Sequence, residues 1–253
     1  MLAGMTALTS TAAAAAASLT KVYGTGAAEV RALDSVTAQF ADARFTAIMG
    51  PSGSGKSTLL HCLAGLDSPT SGQVFLAGQD LGALSDTQLT RLRRDRVGFI
   101  FQSFNLLPAL TVAENIALPS LLAGRKPARA WLDDVITLLG LGDRLAHRPA
   151  ELSGGQQQRV AVARALATQP EIIFADEPTG NLDSRSSAQL LGYLRTAVSE
   201  LGQTIVMVTH DPAASAVTDE VLFLADGRIA GQLDAPTGPA ILDRLASLGE
   251  GGA

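Results

Sequence analysis

The sequence is poor in cysteine, lacks a long apolar stretch and carries no excess of positive charge. Because Cys62 is its only cysteine, the chain cannot form an internal disulfide bond or hold zinc in a cluster of thiolates. A segment that crosses a bilayer needs about 18 apolar residues or more, so we expect no membrane-spanning segment. The formal net charge of −5 argues against a general nucleic-acid-binding protein.

The N-terminal segment is rich in alanine, threonine and serine, and no charged residue precedes the first lysine. A secretory signal begins with a basic region, so the alanine run at residues 12–17 is not expected to act as one. We instead predict a flexible tail over residues 1–17 and a single domain over residues 18–250. Met1 and Met5 are both acceptable as the start of translation, and the sequence does not separate them.

Residues 50–57 read Gly-Pro-Ser-Gly-Ser-Gly-Lys-Ser and lie between a short apolar run and a segment of helical pattern. Glycine lets the backbone approach a ligand closely, and a helix N-terminus offers unpaired N–H groups and a favourable dipole to an anion. The pattern therefore predicts a phosphate-binding loop, in which Lys56 reaches the β- and γ-phosphates and the Ser57 hydroxyl ligates Mg²⁺. The residues that we assign to the nucleotide in this segment are Gly50, Pro51, Ser52, Gly53, Ser54, Gly55, Lys56, Ser57 and Thr58.

A pair of carboxylates, Asp176 and Glu177, follows the apolar run at residues 172–175. Ligands of open α/β sheets bind at the carboxyl ends of the strands. At such an edge Asp176 suits the shell of a Mg²⁺ ion, and Glu177 is placed to orient and polarise an attacking water. In a chain without the phosphate-binding loop, an acidic turn would be the better interpretation.

A second glycine-containing motif, Leu-Ser-Gly-Gly-Gln at residues 152–156, precedes a strongly helical stretch. It again offers backbone donors, a hydroxyl group and a helix N-terminus to an anion. A plain helix cap would account for Ser153 alone, but it does not account for the whole set of motifs.

Taken in order, these motifs resemble those of the ATP-binding subunits of ABC transporters, and the resemblance covers residues 19–233. It implies a P-loop NTPase of the α/β class with a RecA-like, mostly parallel core sheet, an antiparallel β subdomain and an inserted α-helical subdomain. Residues 18–102 and 166–250 would form the ATPase core, and residues 103–165 the helical subdomain.

The resemblance also implies roles outside the phosphate-binding loop. Tyr23 stands where the family places an aromatic ring against adenine, and Gln102 where a glutamine links Mg²⁺ to the helical region. Asp183 lies in the loop that crosses the dimer interface. The implied catalytic residues are Glu177, His210 and Lys56, and the implied Mg²⁺ ligands are Ser57, Gln102 and Asp176. The residues implied to contact ATP bound by a second subunit are Leu152, Ser153, Gly154, Gly155 and Gln156.

The function implied is that of an ATP-hydrolysing subunit, peripheral to the cytoplasmic face of the plasma membrane. It would pair with itself or with another ATPase subunit over two ATP molecules and drive a separate integral-membrane permease. Residues 20–23, 101–108 and 178–183 are similar to the bacterial lipoprotein-release, macrolide-efflux and cell-division group, although polar amino-acid importers share parts of them. The chain departs from that group at residues 43–44, which read Ala-Arg where Gly-Glu is commoner, and at residues 218–220, which read Thr-Asp-Glu where Ala-Asp-Arg is commoner.

Several alternatives stay open on the sequence alone. Export or extracytoplasmic handling of a lipoprotein, lipid, peptide or drug is not separated from ATP-driven signalling through a permease-like partner. The arginine cluster at residues 91–96 is either a solvated helix face or a phosphate or lipid contact. Phe104, Leu106 and Leu107 either line a groove for a helix of the permease or pack the core of the helical region. Two other classes of ATPase are disfavoured. A DNA-repair ATPase would need long coiled-coil or zinc-binding insertions, and a translation factor would need two ATPase domains, whereas this sequence shows one set of motifs, a short helical region and one cysteine.

Overall fold

Several strands at the centre of the molecule are buried on both faces, as expected for a parallel sheet covered by other layers. Phe45–Met49 and Thr204–Val208, for example, contain only buried residues. The computed structural model describes residues 12–250, in which strands and helices alternate along the chain. None of the described helices is both long and apolar enough to cross a membrane.

The strands in this part of the chain are β1 (Ala12–Tyr23), β2 (Val30–Ala41), β3 (Phe45–Met49), β4 (Ser71–Leu76), β5 (Gln79–Asp80), β6 (Val97–Phe101), β7 (Ile172–Asp176), β8 (Thr204–Val208), β9 (Glu220–Ala225) and β10 (Arg228–Asp234). The helices are α1 (Lys56–Leu63), α2 (Asp86–Arg96), α3 (Val112–Leu122), α4 (Arg129–Leu138), α5 (Gly154–Leu166), α6 (Ser184–Leu201), α7 (Pro212–Ser215) and α8 (Gly238–Glu250). Short 3₁₀ turns occur at Gly26–Ala28, Leu81–Ala83, Gly142–Arg144 and Pro149–Glu151.

The core sheet has six strands in the order β10-β9-β3-β8-β7-β6. All neighbouring pairs from β9 to β6 are parallel, and β10 joins β9 as an antiparallel hairpin. Alternate residues of each strand enter two different apolar cores, so that Ala47 and Met49 face helices α3 to α6, while Ile48 faces α1 and the second sheet. Both faces of the sheet are therefore covered, and the predicted fold class is confirmed.

The second sheet is antiparallel, with strand order β2-β1-β4-β5. Residues 12–17, predicted as part of a flexible tail, lie in β1 and pair with β2 on one side and β4 on the other. Ala13 and Ala16 are buried in the same apolar core as Leu59 of α1. The prediction of a tail was wrong for these residues, because pairing on both edges and close packing outweigh the low strand propensity of alanine. Residues 1–11 lie outside the described residues.

The chain between β6 and β7 contains α3, α4 and α5, with α3 and α4 packed against α5. The loop before α3 is fixed by Asn115, which is fully buried. Its side-chain amide donates to the carbonyl oxygens of Leu107, Leu110 and Thr111 at 3.0–3.2 Å, and its oxygen accepts from the N–H of Leu107 at 2.8 Å. A helical region thus lies where the sequence places one, and its limits at residues 103 and 165 stay a prediction.

The two segments at which the chain departs from its group contain Arg44 and Glu220, which lie beside the same cavity in the structure. Both line a cavity of about 310 Å³ between β2, β9 and β10. Burial raises the pKa of the Glu220 carboxyl group, and the positive charge of Arg44 partly opposes that effect. Arg44 and Glu220 therefore place groups of opposite charge beside one cavity.

Glu220→Gln tests this arrangement through the pH dependence of stability. Because the pKa of Glu220 is higher in the folded chain than its ordinary value of 4.5, its contribution to the free energy of unfolding falls as pH rises through the raised pKa. Gln cannot ionise. We therefore expect the urea midpoint of Glu220→Gln minus that of the parent to increase as pH rises from about 4 to about 7. Glu200→Gln, at an exposed position of α6, is the control. A pH-independent difference between Glu220→Gln and the parent would contradict the assignment.

Candidate active site

The carboxyl ends of four parallel strands lie at one edge of the core sheet. Ile48 of β3 is opposite Val208 of β8, and Val208 is opposite Asp176 of β7. Asp176 is opposite Phe101, the last residue of β6. The segments that follow these strands therefore leave the sheet side by side, which brings the phosphate-binding loop, the carboxylate pair, Gln102 and the segment of His210 to the same edge.

The phosphate-binding loop has a backbone path that only glycine permits at two positions. A Cβ atom on Gly50 would overlap the carbonyl oxygen of Leu224, and one on Gly55 would overlap the carbonyl oxygen of Ala32. Gly55 also has φ of +98° and is the N-cap of α1, without a side-chain hydrogen bond to the helix. The first N–H groups of α1 therefore face the loop and suit an anion.

Lys56 lies across this loop. Its ammonium group donates hydrogen bonds to the carbonyl oxygens of Gly50 at 3.0 Å and Pro51 at 2.7 Å. Burial lowers the pKa of Lys56, while the nearby carboxylates of Glu177 and Asp176 act in the opposite direction. A positive charge is thus held at the centre of the loop, between the helix N-terminus and the two carboxylates.

The structure joins two of the three predicted Mg²⁺ ligands. The Ser57 hydroxyl donates to Asp176 Oδ1 at 3.1 Å. A hydroxyl and a carboxylate oxygen side by side are hard oxygen ligands of the kind that Mg²⁺ takes, so these residues fit the ion. Gln102 is directed elsewhere: its side-chain amide contacts Asn181 Oδ1 at 3.4 Å, and Asn181 Nδ2 donates to the Gln102 carbonyl at 3.0 Å.

Glu177 and His210 are in direct contact, with 2.9 Å between Glu177 Oε1 and His210 Nδ1. Glu177 has φ of +47°, in the left-handed region, and its N–H donates to the carbonyl of Val208 at 3.0 Å. Left-handed backbone costs a non-glycine residue about 1–2 kcal/mol. The strand pairing thus holds Glu177 in a strained conformation that turns its carboxylate out of the sheet towards His210.

Tyr23 ends β1 and is 41% exposed. Its hydroxyl donates a hydrogen bond to Asp67, and its ring lies beside the ammonium group of Lys21. An exposed aromatic face at this position suits stacking on a flat base.

The Leu-Ser-Gly-Gly-Gln motif forms the start of α5. Ser153 is the N-cap in a capping box: its N–H donates to Gln156 Oε1 at 2.8 Å, and its hydroxyl accepts from the Gln156 N–H at 3.3 Å. Leu152 is buried in the core, whereas Ser153 is exposed. Within residues 12–250, no hydrogen bond joins this motif to the phosphate-binding loop. The chain therefore presents two separate sets of anion donors.

Asp183 is the N-cap of α6, in the loop that follows the carboxylate pair. Its carboxylate accepts from the N–H of Ser186 at 2.9 Å and from the Ser186 hydroxyl at 2.8 Å. Ser186 also lies against Gly155, where a Cβ atom would come within 2.9 Å of its hydroxyl oxygen. The Asp183 loop and the start of α5 are therefore neighbours on one surface.

Besides Ser186, sequence reasoning missed four residues in and around the predicted site; three contact predicted site residues, and Gln158 contacts their neighbours. Asn181 holds Gln102, and Gln158 ties the Pro178 carbonyl to β6 by hydrogen bonds of 2.6 and 3.2 Å. His61 Nε2 lies 3.7 Å from Asp176 Oδ2, and it follows Ser57 by one helical turn, a spacing that could have indicated it. The fourth, Asp67, has no signal in its local sequence, because its partner Tyr23 is far away along the chain.

Comparisons with known proteins agree with this geometry. A family model described as ABC transporter matches residues 33–180. The chain is 49% identical over 213 residues to the macrolide export ATP-binding/permease protein MacB of Marinobacter nauticus, covering 83% of this chain and 33% of that protein. It is 44% identical over 211 residues to the lipoprotein-releasing system ATP-binding protein LolD of Shewanella oneidensis, covering 83% of this chain and 92% of that protein.

A solved structure shows the same fold: the dimeric ATP-binding cassette MJ0796 in a post-hydrolysis state, bound to ADP and Pi. Its TM-score is 0.79 at 39% identity, with 88% of this chain and 99% of that chain covered. The chain therefore belongs to the ABC transporter family, as an ATP-binding and ATP-hydrolysing subunit. The family and the group predicted from the sequence are both confirmed.

Proposed function

We propose that two ATPase subunits of this type close over two ATP molecules, and that this closure drives a separate integral-membrane permease. The observation that carries the proposal is the convergence of Lys56, the Ser57–Asp176 pair and the Glu177–His210 pair at one edge of the core sheet. It supplies a phosphate cradle, oxygen ligands for a cation and a carboxylate for water within one site.

The residues have distinct roles in hydrolysis. Glu177 accepts a hydrogen bond from the attacking water and orients it towards the γ-phosphorus, and His210 contacts the γ-phosphate from the next strand. The bond between the γ-phosphorus and the bridging oxygen breaks, so that ADP and phosphate are the products. Lys56 and the N–H groups of α1 stabilise charge on the phosphate oxygens. When bound at Ser57 and Asp176, Mg²⁺ would neutralise part of that charge.

Glu177→Gln tests the catalytic assignment. The amide keeps the size of the side chain but cannot take up the proton of water, so ATP turnover should fall by about 10²-fold or more. ATP affinity should stay close to that of the parent, and ATP should trap a stable dimer. Glu171→Gln, at the other end of β7, should retain the parent rate. Single-turnover hydrolysis and size-exclusion chromatography measure both effects, and near-parent hydrolysis by Glu177→Gln would remove it from the mechanism.

The arrangement of the two donor sets supports the dimer. Ser153 offers an exposed hydroxyl and a helix N-terminus, but it shares no hydrogen bond with the phosphate-binding loop of its own chain. The similar cassette MJ0796 is a dimer with ADP and Pi bound. A second subunit can therefore place its Ser153 motif on the open side of a nucleotide held by Lys56. ATP then joins two chains, and binding energy becomes mechanical closure.

Two variants separate the halves of such a shared site. Lys56→Ala should weaken ATP binding to the monomer, because a positive charge at the β- and γ-phosphates is lost. Ser153→Arg should leave monomer binding near the parent value but abolish ATP-dependent dimerisation and hydrolysis.

The control is Ser85→Arg, since Ser85 caps α2 in the same kind of capping box, with Gln88. Ser85→Arg should lose about 1 kcal/mol of stability, the same loss that we expect for Ser153→Arg, but it should still dimerise. Isothermal titration and sedimentation measure the two properties. Equal loss of monomer binding in Lys56→Ala and Ser153→Arg would contradict a site shared between subunits.

A groove of about 420 Å³ lies between β6, the edge strand of the core sheet, and helices α3 and α5. Apolar side chains line it, among them Phe99, Leu118 and Leu122, together with Arg164. Leu122 is 73% exposed. An apolar groove of this shape suits a short helix of the permease. Phe104, Leu106 and Leu107, for which the sequence left a groove role and a core role open, are not among its lining residues, and Leu106 packs against the core.

Leu122→Asp tests the groove. Because Leu122 is already exposed, the substitution should leave basal ATPase activity and thermal stability near the parent values. Co-purification with the coexpressed permease, and stimulation of ATPase activity by it, should be lost. Leu242→Asp is the control, at a residue of α8 that is 56% exposed. Retained permease binding by Leu122→Asp would rule out the groove as the docking site.

Export or extracytoplasmic handling of an amphipathic cargo is the output that the relatives favour, since two of them are named for macrolide export and lipoprotein release. The subunit would then work at the cytoplasmic face of the membrane. The chain spans about a third of the macrolide-export relative, 33% of its length. A separate permease chain would supply the membrane path. Within the ATPase, we propose residues 103–165 as the helical subdomain and residues 166–250 and the segment up to residue 102, with β1 from Ala12, as the core.

A further inference from the structure

Tyr23 is held by two groups that the phosphate loop and the catalytic carboxylates do not use. Its hydroxyl donates a hydrogen bond to Asp67 Oδ2 at 2.6 Å. Lys21 Nζ lies 4.8 Å from the centre of its ring and donates to Asp67 Oδ1 at 2.6 Å. One carboxylate therefore holds both the hydroxyl of the ring and the cation that covers one face of the ring.

Asp67 is itself fixed by the helix that begins at the phosphate-binding loop. It follows the end of α1, and its N–H donates to the carbonyl of His61 at 3.2 Å. The segment after it is tied to β1, since the Thr70 hydroxyl accepts from the N–H of Val22 at 2.9 Å. The position of the Tyr23 ring is thus set relative to the loop that holds the phosphates.

The charges of these groups favour the arrangement. Partial burial alone would raise the pKa of Asp67, but hydrogen bonds from Lys21 and Tyr23 outweigh that effect and hold the pKa below its ordinary value. The hydrogen bond to Asp67 raises the pKa of Lys21. Burial, together with the hydrogen bond to Asp67, raises the pKa of Tyr23. Near neutral pH the carboxylate is ionised, the lysine is charged and the phenol keeps its proton.

We propose that Asp67 is a positioning residue for the nucleotide base, which fixes the Tyr23 ring so that the face away from Lys21 meets adenine. This positioning role rests on the proposed function and on the stacking of Tyr23 against adenine that the family resemblance implies. Hydrogen bonds from a hydroxyl to a carboxylate are short and about twice as strong as neutral ones. A ring that is already held in place loses less rotational freedom when the base binds.

A role on the base side of the site has a specific signature. Loss of Asp67 weakens the binding of ATP, which carries adenine, and leaves the binding of inorganic tripolyphosphate unchanged, because that ligand contacts only the phosphate-binding loop. A purely structural role of Asp67 in joining β1 to α1 would disturb both ligands alike. The KM for ATP rises while kcat at saturating ATP stays near the parent value.

The experiment measures the affinity of monomeric parent, Asp67→Asn, Asp67→Ala and Tyr23→Phe for ATP and for tripolyphosphate, each with Mg²⁺. We expect ATP affinity to fall by about threefold to tenfold in each variant, the range for one lost hydrogen bond, with tripolyphosphate affinity unchanged. Asp67→Ala combined with Tyr23→Phe should bind ATP no more weakly than Asp67→Ala alone, because the hydrogen bond that Tyr23→Phe removes is already absent in that variant.

Asp95→Asn is the matched control, since Asp95, like Asp67, is a carboxylate held by two side chains, in this case Arg94 and Arg125. It should bind both ligands as the parent does. Parent-like ATP affinity in the Asp67 variants, or equal weakening of ATP and tripolyphosphate, would overturn the proposal while leaving the stacking role of Tyr23 in place. The same measurement of ATP affinity on Tyr23→Ala tests the stacking role itself, and parent-like affinity in that variant would overturn the stacking role and the positioning role with it.

Discussion

Parallel pairing on both sides of β7 is the constraint on which the site depends. Asp176, its last residue, lies opposite Phe101 of β6 and Val208 of β8. Ile173 enters one apolar core and Phe174 the other, so a shift by one residue would exchange side chains of different size between two close-packed cores. The burial of Ile173 and Phe174 therefore fixes the register, and the register fixes where the catalytic groups leave the sheet.

Helix N-termini recur around this edge, but they are not equivalent. α1 begins at Gly55, which makes no side-chain cap, so its first N–H groups are available to a phosphate. α5 and α6 are capped by Ser153 and Asp183. The free N–H groups at the start of α1 suit a nucleotide that is bound by the same chain. The capped start of α5 presents an exposed hydroxyl, which suits a ligand held mainly by another subunit.

Charge is arranged by the fold in ways that single positions do not show. Arg44 and Glu220 are far apart along the chain, yet they line one cavity and can place opposite charges beside it. Asp67 similarly joins Lys21 of β1 to Tyr23 of the same strand through a loop that follows α1. In both cases an ionised group has a partner that is distant in sequence, which lowers the cost of its partial burial.

The sequence by itself determined the family, the alternating α/β architecture and the segments that carry the chemistry. Glycine spacing, apolar strands and helix starts are local requirements of the backbone, so Gly50, Lys56 and Asp176 can be assigned from their neighbours. The tertiary structure decided that residues 12–17 form part of a strand, that Glu177 meets His210, and that Leu106 packs against the core. It also decided that Asp67 holds Tyr23. These features depend on contacts between residues far apart in the chain, and such contacts exist only once the two sheets and their helices have packed.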